Sequence, residues 1–148
     1  MGDGQLLLGF GICIIGIAIQ AIATFGVLQV AYLTDAYFPH RRRRSAVLFV
    51  VSITGALLLL GHFLQIEIWA KAYEILGVST PENSYYLAFV SFTTLGYGDV
   101  VPAQHWRLLG PMAAASGMLM FGWSTAVLFA VLIKALEVLR FRINPENE

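Results

Sequence analysis

The sequence predicts an all-α membrane protein with three spanning helices. Of its 148 residues, 58% are hydrophobic and only 12% are charged, and the mean hydropathy of +0.74 lies outside the range of ordinary soluble domains. Three long apolar runs follow one another along the chain. The formal net charge is zero, and no nucleic-acid partner is indicated.

The first span is predicted over residues 5–34. From Leu6 to Leu33 the chain has 28 residues without a charge, about 42 Å as a helix, which exceeds a hydrocarbon core of about 30 Å. A cleavable signal peptide is the competing interpretation, because the small residues around Ala23 resemble a cleavage site. The acidic start at Asp3 and the apolar sequence beyond Ala23 favour a retained membrane helix.

A basic linker at 35–45 orients the chain in the membrane. It contains the block Arg41 to Arg44, and further basic residues, Lys134 and Arg140 among them, follow the third apolar run. The positive-inside rule places both groups in the cytoplasm, with the N-terminus outside. Since no charge lies within the first span, we expect the arginines to be a topology anchor that contacts lipid headgroups, and not a voltage sensor.

The second and third spans are predicted over 46–70 and 107–139, followed by a short cytoplasmic tail at 143–148. The second span is uncharged as far as Leu60. Aromatic side chains cluster near the outer ends of these spans, as an interfacial belt would. The predicted belt consists of Trp69, Tyr73, Tyr85, Tyr86 and Trp106.

Between these spans lies the octet TTLGYGDV, residues 93–100, preceded by a short amphipathic segment. Backbone carbonyls of a narrow, nearly extended segment can replace the hydration oxygens of a cation. Gly96 and Gly98 suit this task, because carbonyls that share one axis require backbone angles that a Cβ resists. A simple glycine turn is the alternative for GYGD. The flanking segments favour the cation-binding interpretation.

In this order of elements the chain resembles the potassium-channel pore-domain family, whose two-helix module carries a TxGYGD filter. The resemblance covers residues 46–142, about two thirds of the chain, and Leu95 stands where the family's TVGYG has valine. The first span is then an additional helix. The resemblance implies an outer helix at 46–70, a pore helix at 84–93, a selectivity filter at 94–98 and an inner helix at 107–139.

The resemblance also implies the roles of individual residues. Potassium ions would be bound at Thr94, Leu95, Gly96 and Tyr97, with Gly98 completing the filter. Thr93 and a hydrogen bond between Tyr86 and Asp99 would support it. In family members an aromatic side chain at the position of Tyr97 packs against the surrounding helix, which braces the filter.

On the inner helix, Gly117 and Gly122 match small residues that let family helices bend or pack closely. A hinge and a packing role both remain open, because glycine is frequent in transmembrane helices. By the same resemblance, Thr125, Phe129 and Ile133 are expected at the cavity or gate.

Three polar residues, His62, Gln65 and Glu67, interrupt the second span. No second metal ligand stands three or four residues from His62, so no metal site is predicted there. Glu67 and Lys71 have the spacing of a helical ion pair. A role of His62 or Glu67 in gating or proton sensing remains an open alternative.

One filter segment cannot surround an ion, and the family closes four around an axis, so the resemblance implies a homotetramer in membrane lipid. The function it implies is passive potassium-selective conduction across a cell membrane, with no enzymatic activity and no cofactor apart from potassium ions. The alternatives are a less selective cation channel and a non-conducting or accessory membrane protein that retains the pore fold. So compact a subunit suggests a prokaryotic source.

Overall fold

A computed structural model describes residues 2–37 and 43–140, and these ranges contain four α-helices and no strand. Three helices are long and apolar enough to cross a membrane, and one short helix lies between the second and third of them. The predicted all-helical fold with three spanning helices is therefore confirmed. The helices are α1 (Gly2–Tyr37), α2 (Arg43–Ile75), α3 (Pro81–Phe92) and α4 (Leu109–Arg140), and a 3-10 turn at Gln104–Trp106 precedes α4.

The spanning helices α1 and α2 extend further than predicted. α2 continues past its charged residues to Ile75. It ends before Gly77, which has a φ of 63°, and the Val78 N–H donates to the Tyr73 carbonyl at 2.9 Å. A left-handed glycine is a usual helix stop. Of the predicted basic linker, residues 38–42 lie outside the described residues, as does the predicted tail at 143–148.

The short helix α3 begins three residues earlier than the predicted pore helix. Pro81 occupies its first turn, where the ring fixes a helical φ and the missing N–H leaves nothing unpaired. The backbone N–H groups of Asn83 and Ser84 donate to the Thr80 carbonyl, at 3.0 and 2.9 Å. The start of α3 is therefore set by a proline and not by the onset of amphipathic sequence.

The hydrophobic core lies where α2, α3 and α4 meet. Its centre contains side chains of 3% exposure or less from each of the three helices. The fully buried Tyr73 also donates its hydroxyl to the Leu109 carbonyl, at 3.2 Å, which ties α2 to the start of α4. The core includes Ile66, Trp69, Tyr73, Leu87, Ala88, Phe92, Leu109, Ala113 and Met120.

Two members of the predicted aromatic belt belong to this core. Trp69 and Tyr73 are 1% and 0% exposed, and their rings lie 5.8 Å apart. They lie on the side of α2 that faces the other helices. The sequence places them near one end of the span but does not indicate which side of the helix they occupy. The ion pair at this end also differs from the prediction, because Lys71 pairs with Glu74, at 2.9 Å, and not with Glu67.

The additional helix α1 packs against both α2 and α4. The buried positions on α1 are Gly9, Gly16, Gln20 and Val27, which recur at spacings of seven and four residues and so share one face. Small residues on such a face allow close approach of membrane helices. The rest of α1 is largely exposed, as expected for a helix whose remaining surface contacts lipid.

Candidate functional site

The segment that follows α3 is folded back onto the end of that helix. The N–H of Thr94 donates to the Ser91 carbonyl at 2.9 Å, and the N–H groups of Leu95 and Gly96 both donate to the Val90 carbonyl, at 3.0 and 3.3 Å. These bonds satisfy helix-end carbonyls that would otherwise lack partners. Since α3 is held in the core, the segment is attached to a rigid support.

The backbone of this segment alternates in handedness. Positive φ values occur at Thr94 (62°), Gly96 (56°) and Gly98 (79°), whereas Leu95 and Tyr97 between them have none. Alternation of right- and left-handed residues turns successive N–H groups toward one side. The carbonyls between them then turn toward the other side. The segment therefore has the alternating sign of φ that a row of carbonyls facing one ligand requires.

The carbonyls of residues 94–98 receive no hydrogen bond from any residue that the structure describes. Residues 94–98 are all exposed in one subunit, so these oxygens are accessible to a ligand from outside it. Carbonyl oxygens are the ligands by which selective pores replace the water around an ion. The arrangement is thus suited to bind a desolvated cation.

Glycine is favoured at residues 96 and 98 by the backbone conformation, and not by a lack of space for a side chain. A Cβ on Gly98 would meet no atom within 4 Å, and one on Gly96 would meet only the Thr94 carbonyl, at 3.9 Å. Thr94 adopts its positive φ despite a β-branched side chain, which costs about 1–3 kcal/mol and is typical of functional sites. The segment is consequently strained at Thr94, its first residue.

Within one subunit the side chains of the segment are poorly covered. Leu95 is 53% exposed and Tyr97 is 69% exposed, so the bracing contact expected for the Tyr97 ring is not made inside the subunit. The side chain of Thr93 is directed toward α3, because its hydroxyl donates to the Phe89 carbonyl of that helix at 2.8 Å. It closes the helix end on which the segment rests.

Tyr86 and Asp99 are brought together beside the segment. The Tyr86 hydroxyl donates to Oδ2 of Asp99 at 2.7 Å. This hydrogen bond raises the pKa of Tyr86 and lowers the pKa of Asp99. It links α3 to the residue that directly follows Gly98, so it fixes both ends of the segment to the same helix.

We expect Tyr86→Phe and Asp99→Asn to lower the thermal stability of the purified protein non-additively, because each removes the same bond. A lowered aspartate pKa stabilises the folded protein above the usual aspartate range, and a raised tyrosine pKa stabilises it below the usual tyrosine range. The contribution should therefore persist from about pH 4 to about pH 10. Melting curves of both single variants and the double variant measure it, and a double variant equal to the sum of the singles would show that the pair does not interact.

On α4, the two candidate hinge glycines differ in their surroundings. A Cβ on Gly117 would fall on the carbonyl oxygen of Phe92 and 2.8 Å from its carbonyl carbon, whereas one on Gly122 would meet nothing within 4 Å. Gly117 therefore packs directly against the end of α3. α4 runs as a continuous helix through both positions, and a hinge remains a prediction for each.

The candidate cavity and gate residues lie along one exposed stripe of α4. Thr125, Phe129 and Ile133 follow one another at intervals of four residues, and none is covered by α1, α2 or α3. The Thr125 hydroxyl donates to the Phe121 carbonyl of its own helix, at 2.8 Å. The stripe is available for a cavity or for a neighbouring subunit.

Phe92 was not singled out from the sequence, although it joins three parts of the site. Its carbonyl faces Gly117, and its ring lies 5.7 Å from that of Phe121 and 6.2 Å from that of His62. Its place at the end of α3 was the available signal, because a large apolar residue before a turn is often anchored. Gln20 was also missed, and an amide in the middle of an apolar helix is a signal for buried partners.

Comparison with known proteins gives one family. A family model described as ion channel matches residues 46–134, which contain most of α2, all of α3 and the octet, and most of α4. α1 lies outside the match. No curated protein and no solved structure matches the chain.

Proposed function

Because the chain belongs to the ion channel family whose model matches residues 46–134, we propose that it is a potassium-selective channel that conducts passively through a filter at residues 94–98. It is an ion channel and not an enzyme, and it crosses the membrane more than once. Selectivity for potassium, the tetramer and the orientation are the parts proposed here. Potassium is the ion that the proposed channel conducts.

The row of unpartnered carbonyls at residues 94–98 carries the proposal. The positive φ values at Thr94, Gly96 and Gly98 support it, because alternation of this kind suits a segment whose oxygens face one side. Oxygens of this kind can compensate a potassium ion for its lost hydration shell. The sequence TTLGYGD supports potassium over sodium through its resemblance to the TxGYGD filter.

We propose a homotetramer, the assembly that the resemblance to the pore-domain family implies. One segment offers oxygens from one side only, so several copies must surround the ion, and closed rings of identical subunits are common among homo-oligomers. Leu95 and Tyr97 remain exposed in one subunit, together with the α4 stripe from Thr125 to Ile133. Neighbouring subunits would cover these surfaces and supply the contact that Tyr97 lacks.

We propose that the N-terminus lies outside and the C-terminus in the cytoplasm. The basic residues cluster at Arg41 to Arg44 and after the third span, and these groups lie on the same side of a chain with three spans. The filter mouth then faces the cell exterior. Membrane lipids would contact the exposed surface of α1.

Purified protein reconstituted into vesicles tests the function. We expect potassium to permeate at least about tenfold better than sodium, which corresponds to about 1.4 kcal/mol of preference between the ions. Reversal potentials measured with potassium on one side and sodium on the other give the permeability ratio directly. Cross-linking or native mass spectrometry of the same preparation gives the number of subunits.

Empty vesicles and vesicles that contain an unrelated membrane protein are the controls for leak. A reversal potential near zero with a large flux would identify a channel that does not select potassium. A well-assembled oligomer with no flux for either ion would favour a non-conducting protein that retains the pore fold. Either result contradicts the proposal.

A further inference from the structure

A chain of four buried polar side chains joins α1, α2 and α4. Gln65 Nε2 on α2 donates to Oε1 of Gln20 on α1 at 3.2 Å. Gln20 Nε2 then donates to Oγ of Ser124 on α4 at 2.8 Å, and this Oγ lies 3.0 Å from Nε2 of His62 on α2. The additional helix is thus connected to the inner helix by hydrogen bonds.

These four hydrogen-bonded side chains lie within the membrane-spanning part of the molecule. Gln20 is 0% exposed, Gln65 is 2% exposed, and His62 and Ser124 are each 7% exposed. An amide in an apolar helix is costly in lipid unless it finds a partner in another helix. These bonds therefore determine how α1 docks against α2 and α4.

Of these four side chains, His62 is the titratable one. Its ring lies 4.8 Å from the ring of Phe121 on α4 and 6.2 Å from that of Phe92 on α3. Nε2 contacts Ser124, whereas the buried Nδ1 has no hydrogen-bond partner. A neutral ring with its proton on Nε2 fits this site, because it donates to Ser124 and leaves only a lone pair at Nδ1.

A protonated His62 ring would have one donor without an acceptor at this site. It donates at both nitrogens, and no described residue accepts from Nδ1. Gln65 Oε1 is a buried acceptor without a partner, and it lies three residues further along the same helix. Oε1 of Gln65 faces α1, where it lies 3.0 Å from the position of a Cβ on Gly16. The Gln65 amide must therefore turn to accept from His62, and the turn moves Nε2 away from Gln20. Protonation of His62 and docking of α1 therefore compete for Gln65.

No other charged or titratable side chain contacts His62 among the described residues. The elements packed around it present Gln20 from α1, Phe92 from α3, and Phe121 and Ser124 from α4. Other titratable groups of these elements lie further along their helices. At a rise of about 1.5 Å per residue, the separations along the helix axis are about 7.5 Å from His62 to Glu67, about 9 Å from Phe92 to Tyr86, about 10 Å from Gln20 to Cys13 and about 15 Å from Ser124 to Lys134.

We propose that His62 is a proton-binding site that controls the channel by loosening α1 from α2. The proton breaks the link between Gln65 on α2 and Gln20 on α1, while α1 stays hydrogen-bonded to α4, so these two helices can move together against α2 next to Phe121. The exposed face of Phe121 borders the region assigned to the cavity, which provides a route for the proton. This proposal depends on the proposed channel function.

Potassium flux through reconstituted wild-type channels should change at least roughly fivefold between about pH 8 and about pH 5, as expected when one net hydrogen bond is exchanged near a histidine. His62→Gln keeps a polar group that can contact Ser124 but cannot titrate in this range. We expect its flux to be independent of pH. Tetramer content and the potassium preference are measured on the same samples.

Gln20→Met is the second variant, because it removes the link directly and keeps a side chain of similar length. Its flux at about pH 8 should equal the wild-type flux at about pH 5 and should not respond further to acid. This variant decides the question if His62→Gln does not assemble. His40→Gln and His105→Gln, which replace the other two histidines, are the matched controls and should retain the wild-type response.

A potassium-selective wild-type flux that does not change with pH would overturn this proposal and leave the proposed function intact. A wild-type pH response in His62→Gln or in Gln20→Met would overturn it as well, because the response would then arise elsewhere. Absence of flux at every pH, in well-assembled channels, would overturn the proposed function and this proposal with it.

Discussion

Replacement of Gly98 by alanine is expected to abolish potassium flux through the reconstituted channel. Gly98 has a φ of 79°, and an alanine in the left-handed region costs about 1–2 kcal/mol per residue. The proposed tetramer would carry four copies, so the total would be about 4–8 kcal/mol for one proposed filter. Relaxation of this strain would turn carbonyls away from the axis. Flux measurements on vesicles with equal amounts of assembled protein test the expectation.

Gly77 offers a matched control for this substitution. Its φ is 63°, and a Cβ there also meets no atom within 4 Å, but it lies in the turn between α2 and α3. Gly77→Ala should therefore lower thermal stability to a similar extent and leave ion selectivity unchanged. If Gly98→Ala conducts as the wild type does, or if Gly77→Ala loses selectivity equally, the segment at residues 94–98 is not the conduction path.

The second large effect is expected for Gly117→Ala, which should prevent stable assembly. The new Cβ would fall on the Phe92 carbonyl, a backbone atom at the end of α3. Displacing it would also displace Thr93 and the filter segment. Overpacking usually costs about 1–3 kcal/mol for each site, and a clash with backbone belongs at the upper end of this range. Thermal unfolding and the yield of oligomer by size-exclusion chromatography measure the loss.

Gly122→Ala is the control for Gly117→Ala, because it lies in the same helix and its Cβ would enter open space. We expect it to be neutral or to stabilise α4 by up to about 1 kcal/mol, since alanine has the higher helix propensity. Equal stability of the two variants would contradict the packing contact. A Gly122→Ala variant that assembles fully but gates abnormally would instead indicate a hinge at this residue.

The backbone conformation of the octet was more predictable than the contacts that support it. The octet could be interpreted from residues that adjoin one another, because the need for positive φ at Gly96 and Gly98 is local. The positive φ of Thr94 was not predicted, since a β-branched residue opposes it. The bounds of α2 were also underestimated. Charged residues such as Glu67 ended the apolar run in the sequence, but a helix continues until a residue such as Gly77 stops it.

The sequence by itself determined the number of spans, the short helix that precedes residues 94–98 and the positive φ of Gly96 and Gly98, because run length and backbone demand are properties of neighbouring residues. Tertiary structure alone decided that Gly117 meets Phe92, that Trp69 and Tyr73 are buried, and that Gln20 reaches Ser124, 104 residues away. Such contacts depend on the rotation and depth of each helix against the others. A helix that is apolar on all sides carries little of this information, because lipid and protein neighbours suit its surface equally well.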